Sequence, residues 1–452
     1  MSDMDEQLLA SIPFLNFDVN AFLDLAGADP FTAMGYLILH GGWIIFVFLF
    51  LWMVKYGWLE YRQNKWIAAR EWILLRITVP KASEYNQQTP RGVENMMANF
   101  AGAHSPPSWK EEWIDGQVQM PISLEIASIE GQVSYYVHSL RALRDLVEAA
   151  VYAVYPDADI DAVEDYTLPI PANFPSDEWD LWGTEMTNVA PDPFPLKTYP
   201  EFEDKITGEI KDPVANMLEV FSRLGPGEQA WYQILIIPTD QKNFKKRAEQ
   251  VINKIKGIKE VKKRTMMDDV LDLPLKTLTT FSDVALGNAA PEKKKSDPKE
   301  AFPRMMALSP GERFVLEAIE RKAGKIGFES KIRFLYVGKK GKLSKPKVVN
   351  SFIGAIKQTN TFNMQALKPE TKHVGINGTL WWFKDRRNSE RKGKLVRAYR
   401  KRNASVGLKP YFLCSEELAT LWHFPILMQV KAPQLRRTEA KKAEPPANIP
   451  FG

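Results

Sequence analysis

The stretch nearest to catalytic chemistry is Gly338-Lys-Lys-Gly-Lys-Leu-Ser344, a glycine- and lysine-rich run that brings a phosphate cradle to mind. A Walker A loop needs Gly-x-x-x-x-Gly-Lys-Ser/Thr, so that backbone amides wrap the phosphates while the lysine reaches them. Here the glycine spacing is wrong, and Leu343 stands where the hydroxyl belongs, so the run reads as a basic turn. No Gly-x-Gly-x-x-Gly is present. His40, His104, His138, His373 and His423 are scattered, with no His-Glu-x-x-His and no cysteine pair, so a metal site would have to be assembled from distant residues. Cys414 with His423 is the one nucleophile–base pairing to weigh. The competing reading is a small buried hydrophobe. Glu164-Asp165 is a carboxylate pair of the kind found at strand ends and loops. These patterns give no catalytic, metal-binding or cofactor-binding residues, and the chain reads as a non-enzyme.

Binding chemistry is better represented. Residues 384–409 hold eleven Lys or Arg against Asp385 and Glu390. The set Arg386, Arg387, Arg391, Lys394, Arg397, Arg400, Lys401 and Arg402, with Lys384 and Lys392, is the candidate nucleic-acid contact. Clustered cations release counterions from phosphate and give affinity without sequence preference. Trp381, Trp382 and Phe383 beside them would stack on single-stranded bases. The bland alternative is a solvated basic helix with its aromatics in a core. At the other extreme, residues 157–192 hold ten carboxylates and no basic residue. The pair of blocks reads either as solvated surface or as two docking surfaces of opposite sign.

Other elements tie this chemistry to a membrane. Phe31 to Val54 carries no formal charge, and its centre, Met34 to Val54, reads as a helix of about 32 Å, enough to cross a bilayer. Residues 1–33 carry acids and no Lys or Arg, whereas Lys55, Arg62, Lys65, Arg70, Arg76 and Lys81 follow the apolar run. That asymmetry predicts a single-pass protein of the cytoplasmic membrane, N-terminus outside and the bulk inside. Trp52, Tyr56 and Trp58, with Lys55, Arg62 and Lys65, form the expected membrane-interface set. A cleaved signal peptide fits poorly, because there is no basic n-region and no small-residue cleavage site. A single cysteine excludes an intrachain disulfide framework and suits a reducing compartment.

The expected organisation is α+β. An acidic extracytoplasmic segment (1–33) leads into the transmembrane helix (34–54) and a juxtamembrane amphipathic helix (55–80). A first α+β unit (81–170) contains a strand at Ile122–Ile129, a turn at Gly131, a returning strand from Gln132 to Val137, a helix from Leu140 to Val154 and a strand from Ile160 to Tyr166. A Pro/Asp/Trp-rich irregular connection (171–200) separates it from a second unit (201–286). That unit has a helix from Pro213 to Leu224, a strand from Ala230 to Ile237 and a basic helix from Phe244 to Ile255. After a disordered linker (287–302) comes a third unit (303–435) with the basic helix. Its first helix starts at Ser309-Pro-Gly-Glu312, with Pro in the first turn and Glu three residues after Ser. A C-terminal linker (436–452) ends the chain. The units read as two or three small α/β sandwiches, ferredoxin-like being the nearest pattern.

Several local sequences, in order, resemble one family. They are Ser123-Leu-Glu-Ile126 with Tyr155-Pro-Asp-Ala-Asp-Ile160; Pro195-Leu-Lys-Thr-Tyr199 with Gly227-Glu-Gln-Ala-Trp231; Gly327-Phe-Glu329 with Ile332-Arg-Phe-Leu-Tyr336; and Ser415-Glu-Glu-Leu-Ala-Thr-Leu-Trp-His-Phe-Pro425 with Glu444-Pro-Pro-Ala-Asn448. The set resembles the membrane-proximal region of prokaryotic type IV secretion and conjugation coupling ATPases, over most of the chain after residue 60. In that group the region precedes a hexameric DNA-pumping motor; here no Walker A loop follows. The resemblance implies a non-catalytic, membrane-anchored component of a secretion-like machine for DNA transfer or pilus assembly. It would form homo-oligomers, contact membrane lipid and DNA, and dock a separate P-loop motor ATPase. The alternative is an oligomeric membrane scaffold with no motor and no nucleic-acid role.

Overall fold

A computed structural model of the chain describes residues 25, 27, 29–39, 43–79, 90–203, 211–257, 308–376 and 382–425. The linkers expected at 287–302 and 436–452, Trp381, and most of the acidic segment 1–33 lie outside the described residues. The chain divides into two compact units: residues 1–70 with 105–119, and residues 71–104 with 120–452.

In the first unit, Asp29 caps helix α1 (Pro30–Leu37) by accepting from the Phe31 amide at 3.1 Å. Helix α2 (Trp43–Ala68) is 26 residues long. It corrects the expectation of a membrane-crossing helix at 34–54: among the described residues, no helix is long and apolar enough to cross a membrane. The physical reason is how the charges fall along α2. Lys55 stands at its midpoint, and Glu60, Arg62 and Lys65 occupy its second half. The charge-free part, Trp43 to Val54, extends about 18 Å, against a bilayer core of about 30 Å.

Among the described residues the second unit is built on nine strands, all in one sheet and all paired antiparallel: β1 (Trp72–Thr78), β2 (Ile122–Ile129), β3 (Gln132–Leu140), β4 (Asp159–Ala162), β5 (Trp179–Asn188), β6 (Glu228–Pro238), β7 (Gly327–Lys339), β8 (Leu367–Pro369) and β9 (Tyr411–Cys414). The order is β4-β1-β3-β2-β6-β7-β5-β8, and β9 also pairs with β7. This corrects the expectation of two or three separate sandwiches. The strands assigned to three units hydrogen-bond to one another, β6 lying between β2 and β7 over eight and eleven residue pairs. Local pattern had shown each strand with its own helix. It could not show that Ala230 to Ile236, buried on both faces, needs a strand on either side. A second difference concerns β1, which lies inside the helix expected over 55–80. Two buried pairs, Leu74-Leu75 and Ile77-Thr78, made its apolar residues look helical.

Local chemistry sets the joints. Glu130 and Gly131 (φ 52° and 90°) form the two-residue turn between β2 and β3, which opposes Ile129 to Gln132. Helices α3 (Pro90–Phe100), α4 (Arg144–Tyr152), α5 (Ala215–Ser222) and α6 (Lys242–Lys256) follow in the chain. Helix α7 (Pro310–Ala323) opens with the expected capping box between Ser309 and Glu312. Helix α8 (Ser351–Lys357), the basic helix α9 (Lys384–Arg400) and α10 (Ser415–Leu421) follow. On one face of the sheet, Phe334 stacks on Phe221 of α5 and Phe352 of α8, while Tyr135 meets Trp422 just beyond α10. Helix α9 covers the other face. Gly183 has no side chain to block Leu395, and Tyr399 lies on Trp231 at 5.3 Å between ring centres.

Candidate functional sites

Helix α9 positions the cations assigned to nucleic acid. Asp385 in its first turn and Arg397 and Arg400 in its last suit the helix dipole, while Leu395, Val396 and Tyr399 hold it to the sheet. The structure takes up most of those cations internally. Arg386 pairs with Glu390 one turn on, and Arg391 donates to the Gly375 carbonyl at 2.9 Å. Lys392 pairs with Asp180. Arg397 donates to the Ala172 carbonyl and Asn173, and Arg400 to the Thr167 and Ile170 carbonyls. Lys394 and Lys401 are exposed, and Arg387 is half-buried. Trp382 and Phe383 are exposed.

Arg402 leaves the surface altogether. It is buried, donating to both oxygens of Glu125 at 2.9 and 3.2 Å and pairing with Asp165. Glu125 belongs to a polar row across the sheet that the sequence did not reveal. The register sets Asp161, Arg76, Tyr136, Glu125, Gln233, Arg333 and Glu185 opposite one another on seven successive strands. Arg333 uses all its N–H groups: Nε to Glu185 at 2.8 Å, Nη1 to Gln233 and the Ala398 carbonyl, Nη2 to the Asn403 and Val406 carbonyls. Lys331 adds a bond to the Val406 carbonyl at 2.9 Å. Three carboxylates (Glu125, Asp165, Glu185) thus face three cations (Arg333, Arg402, Lys331), which is what makes burying them tolerable. Burial alone would raise the Glu125 carboxyl, but Arg402 holds it below the ordinary carboxylate range. Burial brings Lys331 down to about 8, with Arg333 adding to the effect and Glu185 opposing it. His138 falls to about 4, through burial and then the nearby Arg402 charge.

The remaining candidates sit in similar structural roles. Cys414 is buried at the start of α10, and its burial pushes the thiol well up. His423 lies past the far end of that helix, bonded to Asp212 at 3.0 Å and to the Ala419 carbonyl, so the two are not brought together. Asp165 serves Arg402, and its partner Glu164 is exposed. Next to Cys414 a cleft of about 300 Å³ is lined by Leu196, Phe314, Ala318 and Met364. Its polar groups bind one another: Lys322 to Glu417 at 2.9 Å, and Lys325 to Glu94 and Glu416. Among the described residues, no three His, Cys, Asp or Glu side chains come together to hold a metal.

The expected membrane-interface residues all lie on α2. Trp52 and Tyr56 are in ring contact at 4.7 Å. Lys55, Trp58 and Arg62 gather with a residue missed in the sequence, Trp113. Lys55 lies 4.8 Å from the Trp113 ring, Trp58 Nε1 donates to its carbonyl at 3.2 Å, and Arg62 covers Trp58. Gly116 (φ 76°) lets this segment reach α2, since a Cβ there would stand 2.4 Å from the Arg62 backbone. Lys65 is exposed one turn further on. From Trp43 to Val54, every side chain that is described is exposed on every side of the helix, and Trp109 and Ile114 are exposed nearby in the sequence of Trp113.

No curated protein matches the chain. A family model does match, over residues 91–434, which is more than half of the sequence, and its description is a domain of unknown function. The chain therefore belongs to the DUF8128 family.

Proposed function

We propose that this chain is a non-catalytic scaffold that attaches to a lipid surface through α2 and carries its sheet unit as a docking platform for partner proteins. The exposed apolar half of α2 is the observation that carries this reading. Eleven large apolar side chains between Trp43 and Val54 face solvent, far beyond the scattered apolar exposure usual for a folded protein. At about 18 Å, this segment reaches through roughly one leaflet and stops short of the other side. Lys55, Arg62 and Lys65 then fall at the level of anionic headgroups, with Trp58 and Trp113 as interfacial aromatics. The ordered motifs that resemble coupling ATPases support a secretion-like machine as the setting, with a separate P-loop ATPase as partner. A DNA contact on α9 finds less support, because most of its arginines already bind the chain's own carbonyls and carboxylates.

Vesicle flotation of the full chain tests the attachment. The protein should rise with phosphatidylcholine vesicles containing phosphatidylglycerol. Phe46→Asp/Phe48→Asp/Phe50→Asp should leave it at the bottom of the gradient. Native protein that stays at the bottom overturns the proposal.

A further inference from the structure

The second unit carries exposed charge of opposite sign at two separated places. The turn after β7 and the start of the next helical segment present Lys339, Lys340, Lys342, Lys345 and Lys347, all exposed, with no acid among residues 338–350. Helix α9 starts toward this end: Lys392 reaches Asp180, whose strand partner is Gly338, while Leu395 lies over Gly183 and Ala398 over Arg333. Lys384 and Lys394 are exposed on α9, and the exposed acids Asp177 and Glu178, just before β5, are fewer than the five lysines of the turn they adjoin. The acidic place is the edge strand β4 and its flanks, where Asp157, Asp159 and Glu164 are exposed. Asp161, between them, is taken by Arg76 at 2.7 Å.

Within one molecule the β4 edge and the β7 turn are too far apart to neutralise each other, although past the far end of α9 Arg402 reaches the acidic flank and pairs with Asp165. Four strands lie between β4 and β7, which sets them about 24 Å apart, well beyond the screening length of about 8 Å in physiological salt. The edge also has an open side, since among the described residues β4 pairs with β1 alone. We infer that the acidic β4 edge of one copy docks on the basic β7 turn and the adjoining N-terminal part of α9 of a second copy, giving a head-to-tail homo-oligomer. Such an interface uses two different patches, so each copy of a docked pair keeps its other patch open, and repetition closes a ring or extends a filament. This inference stands on the sheet unit and does not depend on lipid attachment.

Charge exchange tests it on the full chain in a non-ionic detergent, with mass read by sedimentation. The native protein should form multimers at about 50 mM salt and dissociate at about 500 mM. Asp157→Lys/Asp159→Lys/Glu164→Lys and Lys339→Glu/Lys340→Glu/Lys345→Glu should each be monomeric at low salt. Mixing the two variants should restore multimers, because each supplies the charge the other needs. Circular dichroism of both variants separates lost docking from lost folding. Native protein that is monomeric at low salt overturns the inference, as do variants that keep the native mass or folded variants that stay apart on mixing. Salt-sensitive capture of a single-stranded oligonucleotide by a protein that stays monomeric would also sink it, assigning the basic end to nucleic acid.

Discussion

His138 shows how one side chain links the buried charges to solution conditions. It stacks on Trp72 at 5.1 Å, and its Nδ1 is buried with no hydrogen-bond partner among the described residues. Arg402 stands nearby as a fixed positive charge, so the ring stays neutral in the folded state. The folded value of about 4 lies below the ordinary 6.5. Between those two pH values the unfolded chain binds a proton that the folded chain does not, so stability rises with pH across that window. The contribution is fully present above pH 6.5 and is lost as pH falls toward 4; it amounts to about 3 kcal/mol. Urea unfolding at steps from pH 7 to 4.5 should therefore show a steady loss that His138→Phe flattens while keeping the stack on Trp72. An unchanged slope in that variant would refute the assignment. Glu125 and Asp165 act lower on the scale, because their carboxyls are held below the usual range. None of this was legible in the sequence. Glu125 and Arg402 are 277 residues apart, and a run of arginines gives no sign that its last member turns inward while Lys401 stays out.

At the scale of elements, the loop after α9 behaves as a clamp. Carbonyls of Asn403 and Val406 accept from Arg333, and the Leu408 amide donates to Glu185 at 2.6 Å. Gly407 makes the approach possible: its φ is 97°, and a Cβ would stand 2.3 Å from a Glu185 carboxylate oxygen. Gly407→Ala should cost more than about 2 kcal/mol, from strain and from displaced charge together, read as a lower urea midpoint with an unchanged m-value. A loss under about 0.5 kcal/mol would mean the clamp is slack. The elements that were legible are those with strong local signals, such as the β2–β3 turn and the Ser309 cap. Strand β5 was not among them. Trp179 to Asn188 sits inside the acidic, proline-rich stretch, and its inward Glu185 spoils the apolar alternation that would have marked a strand. Its charge makes sense only beside Arg333 on β7, a partner 148 residues away.

At the scale of the molecule, one sheet replaces the expected string of small units. A polar row running through seven strands, with apolar packing on both sides, couples the distant parts of residues 71–425. Unfolding of this unit should therefore be a single transition, with Trp fluorescence and far-ultraviolet circular dichroism giving coincident curves in urea. Two or three separated transitions would restore the picture of independent sandwiches. The same connectivity dictates the order in which a growing chain can fold. The β2–β3 hairpin is complete early, yet β2 waits about a hundred residues for β6, and β6 about as long again for β7. Tyr135 finds its hydroxyl's partner, the His423 carbonyl, only 288 residues later. At ribosomal speeds of roughly 5–20 residues per second, the β2 edge stays open for at least several seconds, and β9 joins β7 only after about seventy further residues have been made. A nascent chain of this kind is a client for whatever shields bare strand edges, and an apolar helix made before any strand of the sheet gives it an early place to be held.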